Sequence, residues 1–383
     1  MAAEADWSEL PKDVLNLISQ RIDNEFDFIR FRSVCSNWRS FSIPNHLTNT
    51  LPFKFPLLKH SIINSDIDNQ VFDQFCSLSK RIIFLIKPSP QQDQTLVHRP
   101  WLIRVTEKTK LYKSPLFKFQ LPSLLPFSID LNNSSVLNLG TDFIVDKAVH
   151  HPYLHPIKVV VVAPLILAIL LYNGRLVLLR CGDERWTVIP EMPLYIVDIR
   201  VFKGRIYLVD PHSKTVTVGP EDFSVQLVAK DKDIHGRRSD LLFLVESEGE
   251  LLLVDVYEST FRFELTTVYV FRLDEKKKAW VRLKSLGDRV LFWGKECSFS
   301  ASASDLSVAK GNCVIFMDDV FNGNKICDSG MCVFHLDQGR CSPLSDYPDY
   351  LNLFWPPPES IVKSCMSETK KSMLFCIKRF LMW

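Results

Sequence analysis

The chain has 383 residues, of which 46% are hydrophobic and 23% charged, and its formal net charge is +2 at pH 7. This composition is typical of a folded globular protein and excludes a largely disordered chain. The small net charge gives no electrostatic argument for nucleic acid or an anionic membrane as a partner. The length suits one large all-β domain or two ordinary domains.

The cysteines are spread thinly along the chain, from Cys35 to Cys376. Such low density favours reduced thiols over a framework of disulfides. The first ten residues, MAAEADWSEL, are acidic and lack the basic and apolar regions of a signal peptide. We therefore expect the protein in the nucleus, in the cytoplasm or in both.

The stretch from Trp7 to Ser40 predicts three short helices. Proline is well tolerated at the first helical position, so Pro11 marks the entrance to the first helix, and Asp13 suits its positive end. One apolar stripe follows at helical spacing: Val14, Leu15, Ile18 and Ile22. A second helix is expected from Asp27, and a third carries an apolar side of its own: Val34, Cys35 and Trp38.

These helices carry more apolar surface than so small a unit can hide. A segment of about 34 residues is too short to build a comfortable core alone. An exposed apolar patch on a folded chain usually marks a binding face. The alternative is that the patch docks on the C-terminal part of the same chain, and composition alone leaves both interpretations open.

Two motifs in this stretch, LPKDVL from Leu10 and RFRSVCSNWRS from Arg30, resemble the F-box. The resemblance implies an F-box domain over residues 5–45 that binds the Skp adaptor of Skp–cullin–F-box ubiquitin ligases. It also implies an adaptor-binding surface, flanked by Arg39, whose residues face the adaptor or support those that do: Leu10, Pro11, Val14, Leu15, Ile18, Val34, Cys35 and Trp38.

Residues 46–80 are expected to form a connector, because their prolines forbid a long helix. The run RIIFLIK, from Arg81 to Lys87, predicts a buried strand. The apolar segment from Val159 to Tyr172 is shorter than the roughly 18–20 residues of a membrane-spanning helix. Pro164 interrupts it, so we predict two buried strands and no membrane anchor.

A recurring unit follows, in which a glycine starts a short apolar strand and a polar turn then reverses the chain. The units begin at irregular intervals: Gly174, Gly204, Gly249 and Gly311. Irregular spacing suits the blades of a β-propeller, and blades of about 40–50 residues predict six or seven in residues 81–383. A β-sandwich is the alternative architecture.

Several segments after residue 159 resemble the plant domain of unknown function 295. They read VFKGRIYLV from Val201, AWVRL from Ala279, LFWGKECSFSAS from Leu291, KGNCVIFMDD from Lys310 and LFWPPP from Leu353. The resemblance is clearest over residues 159–358 and implies a kelch-like propeller after an N-terminal F-box. The predicted fold is thus α+β and multi-domain, with a small all-α F-box before a mainly-β domain.

Motifs that carry catalysis are missing from the sequence: G-x-S-x-G, H-E-x-x-H, G-x-G-x-x-G and a phosphate-binding loop. Two groups of residues are of types that can bind metals. The histidines at 150, 151 and 155 lie beside prolines, which favours a loop. The second group has no C-x-x-C pair, which favours strand and turn residues: Cys327, Cys332, His335 and Cys341. We therefore expect no catalytic residue, metal or cofactor.

Two further sets of side chains are expected to have structural roles. The lysines at 276–278 predict an exposed hairpin tip. Three tryptophans are expected to pack between blades, although an aromatic on a propeller face can also anchor a substrate: Trp186, Trp280 and Trp293.

The resemblances together predict a non-catalytic subunit of a Skp–cullin–F-box ubiquitin ligase. The F-box would bind the Skp adaptor and, through it, the cullin, while the propeller would bind an unknown protein substrate for ubiquitination. Nucleic acid and membrane are not expected as partners. The alternatives are a propeller enzyme whose F-box only regulates its turnover, and a scaffold that acts without a cullin.

Overall fold

The structure is a computed structural model. It describes residues 10–22, 31, 34–41, 54–56, 75–88, 99–106, 111–112, 127–129, 134–146, 156–162, 166–171, 174–180, 183, 185–189, 195–219, 223–230, 241–258, 266–294, 297–317, 330–354 and 362–364.

Two α-helices are described in the N-terminal part: α1, Lys12–Gln20, and α2, Ser36–Phe41. Helix α1 begins one residue later than predicted, because Pro11 has an extended backbone and occupies the N-cap position. The carbonyl of Pro11 then accepts the N–H of Leu15 at 3.0 Å. Of the predicted second helix, Phe31 is described and is helical, and the rest lies outside the described residues.

The first sheet contains eight strands in the order β4-β3-β2-β6-β7-β8-β9, with β1 paired to β2. The strands are β1 Lys54–Pro56, β2 Phe75–Pro88, β3 Trp101–Thr106, β4 Leu111–Tyr112, β6 Ser134–Asp146, β7 Pro156–Val162, β8 Ile166–Leu171 and β9 Leu176–Arg180, while β5, Phe127–Ile129, lies elsewhere. The predicted strand at RIIFLIK is the second half of β2. The split at Pro164 is also confirmed, since β7 and β8 flank it as an antiparallel pair.

The second and third sheets are four-stranded antiparallel meanders. One contains β10 Asp198–Phe202, β11 Arg205–Val209, β12 Thr215–Val218 and β13 Val225–Ala229, and the other β14 Leu242–Ser247, β15 Glu250–Glu258, β16 Thr266–Asp274 and β17 Ala279–Leu283. Each begins with a two-residue hairpin turn whose central residues both have positive φ, at 203–204 and 248–249. Glycine is favoured at the second position of such turns, which explains why these two recurring units begin with Gly204 and Gly249.

The fourth sheet has the order β19-β18-β20-β21-β22, and its β18 and β20 run parallel. Its strands are β18 Arg289–Trp293, β19 Ser298–Ser302, β20 Cys313–Met317, β21 Met331–His335 and β22 Arg340–Pro343. Helix α3, Ala303–Leu306, lies between β19 and β20. After the sheet come a 3₁₀-helix at Leu344–Asp346, helix α4 at Pro348–Leu351, and β23 at Val362–Ser364, which pairs with β5.

The four sheets are arranged in a ring. Strand β7 contacts β10, β10 contacts β14, β14 contacts β19, and β19 contacts β6, which in turn pairs with β7. A separate hydrophobic core fills each junction between neighbouring sheets, from the first to the second around to the fourth and the first. A sandwich would instead enclose one core between two sheets. The ring therefore has the architecture of a β-propeller.

The described residues form four sheets of four or more strands, where six or seven blades were predicted from length. The prediction assumed four-stranded blades of about 40–50 residues each. Instead, β2 spans 14 residues and β6 spans 13, and the first sheet joins eight strands.

Tryptophans pack at the junctions, as predicted. The indole N–H of Trp280 reaches the second sheet, where Ser213 O and Thr215 Oγ1 accept it at 3.1 and 3.0 Å. The ring of Trp293 stacks on Phe243 with centroids 4.5 Å apart. Trp186 is also buried. Each of these side chains thus contributes to packing within the propeller.

Candidate functional site

The candidate site is the apolar surface of helix α1 and the segment that leads into α2. Three large apolar side chains are exposed there: 56% for Leu17, 37% for Ile18 and 56% for Val34. The exposed part of each side chain gains no packing energy from its own fold, so it is available to a partner. Burying one such side chain is worth about 1.5–3 kcal/mol.

Buried and half-buried residues support this surface from below. Leu15 is completely buried, so it belongs to the group that supports the surface and not to the group that faces outward. The ring of Trp38 packs against Phe31 with centroids 4.6 Å apart. The Sγ of Cys35 accepts the backbone N–H of Trp38 at 3.4 Å. These contacts hold the start of α2 in place beside Val34.

Four other predicted residues differ in exposure. Pro11 and Arg39 are exposed, whereas Leu10 and Val14 are half-buried. The ammonium group of Lys12 lies 4.3 Å from the centre of the Phe41 ring and so connects α1 to α2. A cation over an aromatic face is attractive by about 0.5–1 kcal/mol when exposed.

Leu17 was missed by the sequence interpretation, although it is among the most exposed apolar residues described. The missed signal is its position three residues after Val14, which places both on neighbouring turns of one helix face. Leu17 therefore widens the predicted surface.

Of the predicted metal-ligating residue types, the structure describes Cys332, His335 and Cys341. In the described part of the chain, no three His, Cys, Asp or Glu side chains come together in a way that could hold a metal. Cys332 packs into the core between the third and fourth sheets, while Met331 and Val333 face the opposite core. His335 follows the alternation of Met331 and Val333, so it points away from Cys332. The predicted histidines at 150, 151 and 155, and Cys327, lie outside the described residues.

The lysines at 276–278 form the exposed turn between β16 and β17, as predicted. Asp274 accepts the backbone N–H of Lys277 at 3.0 Å and so fixes this turn. Among helices in the described ranges, none is both long and apolar enough to cross a bilayer.

Two family models match this chain. The F-box domain matches residues 7–47, and the KIB1-4 beta-propeller matches residues 75–335. This chain is an F-box protein of the KIB1-4 β-propeller family. The resemblance to plant F-box proteins with a C-terminal propeller is thereby confirmed.

Relatives of this F-box protein share both parts. It is 33% identical to F-box protein SKIP23 of Arabidopsis thaliana, over 95% of this chain and 97% of that protein. It is 32% identical to the Arabidopsis thaliana F-box protein At2g17036, over 94% of this chain and 95% of that protein. Among solved structures, the extracellular domain of BT4673 from B. thetaiotaomicron matches 68% of this chain and 33% of its own length, at 10% identity and a TM-score of 0.23.

Proposed function

We propose that this F-box protein is the substrate-recognition subunit of a Skp–cullin–F-box ubiquitin ligase. The observation that carries the proposal is the exposed apolar surface on the F-box helices, formed by Leu17, Ile18 and Val34. An exposed apolar face on a helix can be bound by the hydrophobic groove of a partner protein. The Skp adaptor is the partner that an F-box implies, and the cullin would be joined through it.

The propeller would supply the second binding surface, for a protein substrate. In this role the chain makes and breaks no bond itself. It tethers the substrate near the ubiquitin-conjugating enzyme, and tethering raises the local concentration of a target lysine. We propose that such a subunit acts in the nucleus, in the cytoplasm or in both.

The test is capture of a purified Skp adaptor by the full-length chain, measured by biolayer interferometry. The variant carries Ile18→Asp and Val34→Asp together. Losing two apolar contacts of about 1.5 kcal/mol each predicts binding roughly 100-fold weaker. The matched control is Val281→Asp, an equally apolar residue that is 36% exposed on the propeller, and it should bind like the wild type.

Retention of wild-type affinity by the double variant, with its helices intact by circular dichroism, would contradict the proposal. A reconstituted ubiquitination reaction then separates a ligase subunit from a scaffold. The wild-type chain should support ubiquitin transfer to proteins it captures from plant extract, and the double variant should not. A chain that binds the adaptor but never supports transfer would be a scaffold.

A further inference from the structure

The outer edge of the third sheet carries a concentration of positive charge. Strand β17, the turn before it and the residue after it hold five exposed cations within nine residues: Lys276, Lys277, Lys278, Arg282 and Lys284. Lys230, at the end of β13 in the second sheet, is also exposed, and its backbone N–H donates to Lys278 O at 3.1 Å. These six residues are called the basic edge below.

Few carboxylates neutralise the basic edge. Lys277 Nζ lies 3.6 Å from Asp274 Oδ2, and within the described ranges it is the one basic-edge cation that has an ion-pair partner. Glu275, the other nearby carboxylate in sequence, accepts the hydroxyl of Tyr207 at 3.4 Å. Six cations and two carboxylates leave an excess of four positive charges, whereas the whole chain has a formal charge of only +2. Positive charge is therefore concentrated at this place.

Strand β17, Ala279–Leu283, is also the last strand of its sheet. It pairs with β16 on one side, and no other strand of the described ranges pairs with it. Alternate N–H and C=O groups of an edge strand point outward and can bond an added strand. Val281 lies in the middle of β17 and is 36% exposed, so this part of the strand is accessible from solvent.

The side chains of β17 alternate between its two faces. Arg282 lies on the same face as Trp280, and its guanidinium is 4.4 Å from the centre of the Tyr269 ring. Val281 lies on the opposite face. Opposite charges on neighbouring strands attract each other, and like charges repel. A complementary strand would therefore carry acidic side chains at every second position and apolar or neutral side chains between them.

A second copy of this chain does not fit the basic edge, since two such edges would repel each other. Nucleic acid or an anionic membrane would match the charge but would leave the open backbone groups of β17 unused. An extended peptide matches both features. We propose that the basic edge binds an extended acidic segment of another protein, which adds to β17 as a further strand. The inference rests on the proposed function only where it takes that protein to be the substrate of the ligase.

Fluorescence anisotropy with the full-length chain tests the proposal. The probe is the fluorescein-labelled peptide Glu-Val-Glu-Thr-Glu-Val-Glu, in which acidic residues alternate with neutral ones. The rearranged peptide Glu-Glu-Val-Thr-Val-Glu-Glu has the same composition and charge without the alternation, and it should bind at least about threefold more weakly. Failure of the first probe to bind at millimolar concentration would overturn the proposal. Equal binding of the two peptides would show charge attraction alone and would overturn it as well.

Two variants of equal charge localise the binding. Arg282→Gln with Lys284→Gln removes two cations of the basic edge and should weaken binding of the alternating peptide roughly fivefold. Lys203→Gln with Lys310→Gln removes two exposed cations of other sheets and should bind like the wild type. Equal weakening in both variants would overturn the site.

The other polyanions are measured in parallel. Oligothymidine and phosphatidylserine vesicles should bind more weakly than the alternating peptide. Tighter binding of either one, lost on Arg282→Gln with Lys284→Gln, would assign the basic edge to nucleic acid or to a membrane and would overturn the proposal.

A last comparison separates this inference from adaptor binding. Val281→Asp places a negative charge in the middle of β17, so it should weaken peptide binding at least about threefold and leave adaptor binding unchanged. Ile18→Asp with Val34→Asp should do the reverse. A wild-type chain that binds the adaptor but not the peptide would refute this inference alone. A chain that binds the peptide but not the adaptor would support this inference and refute the proposed function.

Discussion

Asp198 is the residue whose loss should disturb the ring most sharply. It is buried at the start of β10, and each of its carboxylate oxygens bonds a different sheet. Oδ1 accepts Lys158 Nζ of the first sheet at 2.6 Å, and Oδ2 accepts the backbone N–H of Leu244 in the third at 2.7 Å. One side chain thus joins three neighbouring sheets.

Asp198→Ala removes both contacts at once. Breaking a buried ion pair by deleting one partner costs about 3–5 kcal/mol, because the remaining charge stays buried without compensation. Burial already lowers the pKa of Lys158, and Asp198 raises it in opposition. The unsatisfied N–H of Leu244 adds about 1–3 kcal/mol. The two costs overlap, so we expect unfolding to become easier by about 4 kcal/mol.

Urea denaturation followed by tryptophan fluorescence measures this loss. The decisive comparison adds Lys158→Met, which removes the stranded charge while keeping most of the volume. The double variant should recover about 2 kcal/mol relative to Asp198→Ala, since only the Leu244 N–H is left without an acceptor. A loss of less than about 1 kcal/mol in the single variant, or a double variant no more stable than the single, would contradict this prediction.

Three further predictions concern stability. A Cβ on Gly311 would lie 2.5 Å from the backbone of Asp288, so Gly311→Ala should lower the free energy of unfolding by about 3 kcal/mol. Gly204 has a φ of +73 and open space around it, so Gly204→Ala should lower it by only about 1 kcal/mol in the same urea assay. The reverse order of the two losses would contradict this prediction. Burial lowers the pKa of His335, so below about pH 6.5 the unfolded chain takes up a proton at this residue more readily than the folded chain does. Stability should therefore decline from pH 7 to 5, and it should decline less in His335→Phe. Equal slopes of stability against pH in the wild type and the variant would exclude His335 as the cause. Trp280→Phe removes the indole N–H that two acceptors of the second sheet share, so it should lower stability by about 2 kcal/mol. A change below about 0.5 kcal/mol would mean that this shared hydrogen bond contributes nothing measurable.

Local chemistry explains what the sequence could predict. Pro164 separates two strands because proline cannot continue a ladder, and the turn at Gly204 follows from the positive φ that its hairpin requires. The F-box helices were predictable for the same reason, since their apolar spacing and the entrance at Pro11 are features of a short segment.

Contacts between distant segments explain what it could not. The parallel pairing of β18 with β20 involves a close approach of Gly311 to Asp288. The spacing of apolar residues in the sequence does not predict this pairing. A cavity in the propeller is lined by Lys80, Lys158 and Arg200, which lie on different strands far apart in sequence. The degree of exposure of Leu17 likewise depends on how α1 sits against α2, which helical spacing alone does not determine.

The junction between the first and fourth sheets joins the beginning and the end of the β domain. Leu102 N–H donates to Leu353 O at 2.7 Å, and Lys87 Nζ lies 2.7 Å from Asp305 Oδ1. Outside both sheets, β5 pairs with β23. During synthesis, the first strands of the β domain therefore cannot complete their packing until the last segments of the chain have been made. Ile83 and Leu85 remain exposed to water until then. A premature stop codon before residue 340 should accordingly yield a nascent product that chaperones retain and proteases remove.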